Sequence, residues 1–455
     1  MRSIAPPRIR ATDQKNNPAE APSLNRGYQT PIAIDADALD EACERRMPPV
    51  PDPLPGSLGN SAESSSPSPK KFGKDRGKCR KNRDGRYVDR AIGRDLAFAR
   101  GKFAGMNSPA DIHRITRCGC VPIKGHRYVE IMQSTEHGTA HYAGLQQCGS
   151  PWACPVCAAK IAERRREEIA AGFDYAYTSG RKVVMVTFTF SHTAWDSVTA
   201  LLRQQSDALR RLRSGKVWQR IKGDMGYGGL IRSLEITHGR NGWHPHTHEA
   251  WIVSNDTDAE ALRERVSQRW AASCRRAGLL KPSQEADFAR HAVHVVDRAT
   301  SSDYMAKHDQ ESHWGADREL AAGSSKVSAG RHPFALLRDA GAGDEEAGDL
   351  YMDFVEATKG KAQIFWSRGL KAAAGVQDRT DDEVVEEQEE PAVAVAAFDF
   401  NQWQQVTRER AQAEMLNLVE DEGWIGLARW FRARDMRPPQ MPDSSQSGSP
   451  SESPP

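Results

Sequence analysis

The middle of the chain alternates between two kinds of apolar spacing. Residues 183–190 (VVMVTFTF) are continuously β-branched and aromatic, the composition of a buried central strand. Helical spacing follows over 194–222. Residues 230–237 (LIRSLEIT) and 246–253 (HTHEAWIV) read as two strands joined by HGRNGWHP, where Asn241-Gly242 suits a hairpin turn. A helix is predicted over 257–277, a short strand over 292–296 and a further helical segment over 301–309. This order predicts an α+β fold, an antiparallel sheet sandwiched with helices.

Elsewhere the pattern weakens. Residues 1–110 hold thirteen of the 26 prolines and little apolar periodicity, so they are expected to be disordered and basic toward their end. A cysteine-rich segment with a helix is expected over 111–180, and the main α+β domain over 181–372. An acidic linker is expected over 373–398 and a small helical hairpin over 399–436, broken at Glu422-Gly423. Residues 437–455 read as a disordered Ser/Pro tail.

Composition changes this picture in one respect. The 455 residues carry a net charge of only +2, yet opposite blocks hide inside that total. Residues 71–100 hold eleven Lys/Arg against four Asp/Glu, and 378–390 hold eight acids against one Arg. Near-neutrality therefore does not exclude a nucleic-acid partner. The basic stretch reads either as a nucleic-acid contact or as a solvated tether, and the acidic run either as a spacer or as a competitor for a basic surface. No run of about 18 apolar residues exists to span a membrane. The N-terminus lacks the apolar core of a signal peptide, so a cytoplasmic location is expected. Eight cysteines are too sparse for a disulfide scaffold.

The chemistry concentrates in a few motifs. HPHTHEA places His244, His246 and His248 at strand spacing, so the three imidazoles share one face. Glu235, on the preceding strand, is the nearest carboxylate across the hairpin. Imidazole plus carboxylate suits Mn²⁺ or Mg²⁺ bound to a phosphate, or catalytic Zn²⁺, whereas the plainer reading is a histidine-bearing surface strand. In SSDYMAKHD, Tyr304 and Lys307 lie three residues apart and share a face if helical. A tyrosine can attack phosphorus and hold the product as an ester, and a lysine can favour phenolate or neutralise charge on the phosphate. Cys148, Cys154 and Cys157 suit structural tetrahedral Zn²⁺, with Cys118 or Cys120 as the fourth thiolate. Cys43, Cys79 and Cys274 stand apart. The helix over 203–222 carries Arg203, Arg210, Arg211, Arg213, Lys216, Arg220 and Lys222 against Asp207. These are candidate phosphate contacts, or an ordinary solvated helix face.

In order, VTFTF, the Glu235 strand with HPHTHEAW, and DYMAK resemble the three motifs of the HUH endonucleases, and more closely those of rolling-circle plasmid replication initiators. CGSPWACPVCAAKIAERRREE and HPFALL…TKGKAQIFWSRGLK are similar to the flanking regions of that family, so the likeness runs over about 117–372. The resemblance implies an HUH nicking domain over 181–372 with His246 and His248 as metal ligands. It implies that Tyr304 nicks one strand of plasmid origin DNA and stays joined to the 5′ phosphate. The freed 3′ hydroxyl then primes the host polymerase. Thr247 is a polar occupant of the middle of the His pair. Thr300 stands where some relatives carry the glutamate that ends the cycle, with Asp297 and Asp303 the nearby carboxylates. With no GxxxxGK[ST] loop, a host helicase is expected as a partner. Two other readings stay open: a zinc-containing DNA-binding regulator without nicking activity, and a mobilisation relaxase. Relaxases usually carry the tyrosine ahead of the histidine motif, and here Tyr304 follows it.

Overall fold

The computed structural model describes residues 69–106, 112–301, 331–387 and 391–441, with side chains from residue 80 onward. Helix α1 (Pro69–Phe103) leads through a 3-10 turn at Arg114–Arg117 to β1 (Val129–Ser134) and β2 (Ala140–Ala143). The long α2 (Pro155–Thr178) precedes β3 (Arg181–Phe188), α3 (Val198–Leu212), α4 (Gly215–Asp224), β4 (Gly229–Gly239) and β5 (Gly242–Ser254). Then come α5 (Ala259–Ala277), α6 (Glu285–His291) and β6 (Val293–Val296). After residue 330 follow α7 (Pro333–Gly341), α8 (Glu345–Thr358), β7 (Ile364–Trp366), α9 (Leu370–Ala373) and α10 (Asp381–Glu386). The last elements are β8 (Ala392–Phe398), α11 (Phe400–Arg408) and α12 (Gln412–Arg432).

Two antiparallel sheets organise these elements: a five-stranded sheet in the order β6-β3-β5-β4-β7 and a three-stranded one in the order β2-β1-β8. Helices cover both faces of the larger sheet. On one face Val183, Met185, Ile231, Ala250 and Ile252 pack against Ile169, Phe173 and Ala176 of α2. On the other, Val184, Val186, Phe188, Trp251 and Val253 meet Leu201, Leu209 and Leu212 of α3 and Val266 and Trp270 of α5. Burial on both sides explains why β3 shows no alternation. Helix α5 starts where Asp258 accepts bonds from the Glu260 and Ala261 amides, and ends at Gly278 in the left-handed region, φ 81°. The helix expected over 194–222 is two helices, because the chain breaks at Ser214-Gly215 with Gly215 at φ 74°.

Three expectations change. Residues 69–103, expected to be disordered, form α1. Its buried positions include Gly93, Ala97 and Gly101, a stripe spaced four apart that carries almost no hydrophobic signal, and Ile92 and Leu96 pack against the core beside it. A Cβ at Gly93 would lie 3.1 Å from the Ile115 side chain, so the glycine is what admits the neighbour. Part of the basic charge of α1 is used within the chain. Arg100 reaches Asp353 (2.5 Å) and Glu356 (3.1 Å), Arg83 reaches Glu420 (2.6 Å) and Arg80 reaches Asp421 (2.8 Å).

The stretch expected as an acidic linker over 373–398 is also built into the fold. Thr380 and Glu383 form a capping box at the start of α10, Val384 and Val385 are buried, and Asp381 pairs with Arg165 of α2 at 2.6 Å. Beyond it β8 pairs with β1. The expected hairpin at 399–436 corresponds to α11 and α12, and Gly423 (φ 60°, ψ −147°) interrupts α12. It is not a separate unit. Trp403, Met415, Leu416, Leu427 and Phe431 share a core with Val129, Ile131 and Phe398 of the small sheet. Among the described residues no helix is long and apolar enough to cross a membrane.

Phe398 tests the status of this stretch, since it is fully buried with its ring centroid 5.9 Å from that of Phe431. Phe398→Ala is expected to cost about 3–5 kcal/mol in urea denaturation. A loss below about 0.5 kcal/mol, typical of an exposed position, would return 392–398 to the status of a linker.

Candidate metal centre on the central strands

The β4–β5 hairpin closes through Arg240 and Asn241, between the paired Gly239 and Gly242. Gly242 has φ 81°, and a Cβ there would lie 2.8 Å from the Ala194 Cα, so glycine is required both for the turn and for the close approach of the loop after β3. The turn sets a register in which Glu235 faces His246, with His248 two residues further along the same face. Nε2 of His246 and Nε2 of His248 each lie 2.9 Å from Oε2 of Glu235. All three side chains are buried, at 6–7% exposure. The Oγ1 of Thr187 on β3 is 2.9 Å from Nδ1 of His248 and orients that ring. One ligand atom from each residue lies within 4.8 Å of the others, so two imidazoles and a carboxylate converge on one point. That donor set fits a divalent ion with positions left open.

His244, expected as a further ligand, is directed elsewhere. Its Nδ1 is 2.7 Å from Nε2 of His192, and its Nε2 is 3.1 Å from Oγ1 of Thr189. The partners set the tautomers. Nδ1–H of His192 donates to the Asn241 carbonyl at 2.9 Å, so its Nε2 accepts from Nδ1–H of His244. His244 Nε2 then accepts from the Thr189 hydroxyl. Burial, with His246 and His192 adding to it, pushes the His244 imidazole down to about 3, which keeps this chain neutral.

The second cluster lies around the start of α2. Cys118 Sγ is 3.6 Å from Cys154 Sγ and 3.5 Å from Cys157 Sγ, and Cys148 Sγ is 3.7 Å from Cys157 Sγ. All four residues are buried, and the thiols are free. A tetrahedron with arms of about 2.3 Å has edges of about 3.8 Å, close to these spacings. Cys118 therefore supplies the fourth sulfur and Cys120 does not. Cys120 Sγ accepts a bond from Gln412 Nε2 at 3.5 Å, and burial pushes its thiol up. Hydrogen bonds from the other three sulfurs hold the Cys118 thiol well below its usual range. Buried Arg90, on α1, is electrostatically coupled to Cys118, Cys154 and Cys120, and its guanidinium sits against Gly119. It went unnoticed in the sequence, as did Thr187 and His192, because each acts from another part of the chain.

The basic helix divides into two groups. Arg203, Arg210, Lys216 and Arg220 are exposed. Arg210 and Arg211 both pair with Asp207, and Arg213 is bonded to Glu249, which is completely buried and also accepts from Trp251 Nε1 at 2.7 Å. Arg213 thus serves the core, where it was expected to face DNA. Asp297 is 2.8 Å from buried Lys182 and so is engaged in an ion pair. Tyr304, Lys307 and Asp303 lie outside the described residues, as do Cys43 and the side chain of Cys79.

Fold and site together define an antiparallel α+β protein with a buried two-histidine, one-carboxylate cluster and a separate tetracysteine cluster. It is 29% identical over 313 residues to "Protein rep" of Streptomyces lividans, covering 54% of this chain and 67% of that protein. It is 30% identical over 181 residues to "Neomycin resistance protein" of Streptomyces cyanogenus, covering 34% of this chain and 39% of that protein. No protein-family model matches the chain, and no solved structure matches it.

Arg213→Ala would strand the Glu249 carboxylate in the core. The expected cost is about 3–5 kcal/mol of folding stability, whereas Arg203→Ala, at an exposed position, should change it by less than about 0.5 kcal/mol. Equal, small losses in urea denaturation would make Arg213 a surface residue.

Proposed function

We propose that this protein initiates rolling-circle replication of a plasmid, nicking and rejoining one strand of origin DNA through a tyrosine-linked 5′ phosphate. The observation that carries the reading is the Glu235, His246 and His248 cluster on the central strands of an antiparallel sheet. The course of the chain supports it. Ala299, five residues before Tyr304, is completely buried in the core on the same sheet face as the cluster. After residue 330 the chain returns at Arg331, which bridges to His238 on the same strand as Glu235. The likeness to "Protein rep" of Streptomyces lividans agrees with a replication role.

In this mechanism Tyr304 attacks the scissile phosphorus in line. The bond to the 3′ oxygen breaks, and the 5′ phosphate passes to the phenol. Lys307 favours the phenolate or neutralises charge on the phosphate. Glu235, His246 and His248 would hold Mn²⁺ or Mg²⁺, which would supply Lewis-acid polarisation of the phosphate. Thr187 keeps His248 oriented toward the cluster. Reversal of the attack by a 3′ hydroxyl rejoins the strand. The four cysteines would hold structural Zn²⁺ at the root of α2, whose far half packs against the catalytic sheet. A host helicase and polymerase would complete replication.

Purified protein incubated with Mn²⁺ and single-stranded origin DNA of its replicon should give a covalent adduct in denaturing gels. Tyr304→Phe, the His246→Ala/His248→Ala pair and added chelator should each abolish it. An adduct that survives in Tyr304→Phe removes the nucleophile, and bound but intact DNA with the native protein favours a zinc-containing regulator. Elemental analysis offers a separate check: Cys118→Ser should lose bound zinc, and Cys120→Ser should keep it.

A further inference from the structure

Among the described residues no other large apolar side chain is as exposed as Trp195, at 94%. It stands on the loop between β3 and α3, and that loop is firmly held. Thr193 donates through its amide (2.7 Å) and its hydroxyl (2.8 Å) to Oδ2 of Asp196. The loop backbone lies against Gly242 at the tip of the β4–β5 hairpin, and His192 donates to the Asn241 carbonyl at 2.9 Å. The same loop reaches the candidate metal centre through a row of rings. Centroids of His192 and His244 are 4.8 Å apart, those of His244 and His246 5.1 Å, and those of His246 and His248 4.9 Å. Exposed Arg240 lies at the hairpin tip, next to Asn241.

We infer that Trp195 is a stacking platform for a nucleobase of single-stranded DNA, carried on the loop whose His192 begins the row of rings leading to the candidate metal centre. The inference rests on the function proposed above and adds a binding position to it. A rigid, isolated indole suits a flat aromatic ligand, whose stacking does not depend on base identity. The loop that carries it holds His192, Thr193 and Asp196, and the hairpin tip that the loop touches holds Arg240 and Asn241, whereas the centre of a protein–protein interface gathers several apolar side chains. Exposed Arg240, at the tip of the hairpin that the loop backbone touches, is a cation for the backbone phosphates of such a strand.

The test measures binding of full-length protein to a fluorescein-labelled oligothymidylate of about 20 nucleotides and to an abasic strand of the same length. Trp195→Ala should weaken oligothymidylate binding about 5- to 150-fold, and Trp195→Phe should restore most of it. Neither variant should change binding to the abasic strand or the unfolding midpoint, since the side chain is exposed. Native protein that binds oligothymidylate no better than Trp195→Ala does overturns the stacking site while leaving the proposed function standing. Native protein with no affinity for either strand overturns the proposed function, and the stacking site falls with it.

Discussion

The site depends on one register. Across the β4–β5 hairpin Glu235 faces His246, and the two-residue closure at Arg240–Asn241 sets that pairing. A slip of one residue would move His246 and His248 to the opposite face, among Trp251 and Val253, and leave Glu235 without imidazole neighbours. Alternation enforces the register, because Ala250 and Ile252 share the histidine face and must meet α2, while Trp251 and Val253 must meet α3 and α5. The hydrophobic cores on the two sides therefore hold the polar cluster in place. Burying three polar groups is tolerable because each finds partners within the cluster or on β3.

The cysteine cluster acts as a second organising point at the other end of α2. Cys154 and Cys157 sit where this helix begins, and Ile169, Phe173 and Ala176 further along it pack beneath the five-stranded sheet. Cys118 ties in the 3-10 turn after α1, and Arg90 of α1 brings a buried cation to a group of sulfurs that would become anionic on binding a metal. Helix α1 and the cysteine segment are thereby joined by charge as well as by packing.

Much of the large sheet was legible in the chain. The run at 183–190, the alternation of HPHTHEAW and the hairpin signal between two apolar stretches depend on contacts between near neighbours, and their periods survive in the sequence. The histidine face was legible for the same reason, since parity along a strand is local. Helix α1 was not legible, because its Gly93, Ala97 and Gly101 stripe makes room for the side chains of Ile115 and Ile112 and itself carries almost no hydrophobic signal. Strand β8 was hidden behind an acidic run in which several charges have partners, among them Arg165 for Asp381.

Sequence alone determined which residue types could assemble a centre: three histidines of one parity, a carboxylate across a short hairpin, and five candidate thiols for a cluster of four. Only the tertiary structure decided among them. It excluded His244, whose two nitrogens are taken by His192 and Thr189, and it chose Cys118 over Cys120. It also drew Arg213 away from the surface to neutralise Glu249. The physical reason is common to all three. Strand parity and helix period are set by bonds a few residues long, whereas a side chain's partner is set by whichever distant segment packs against it.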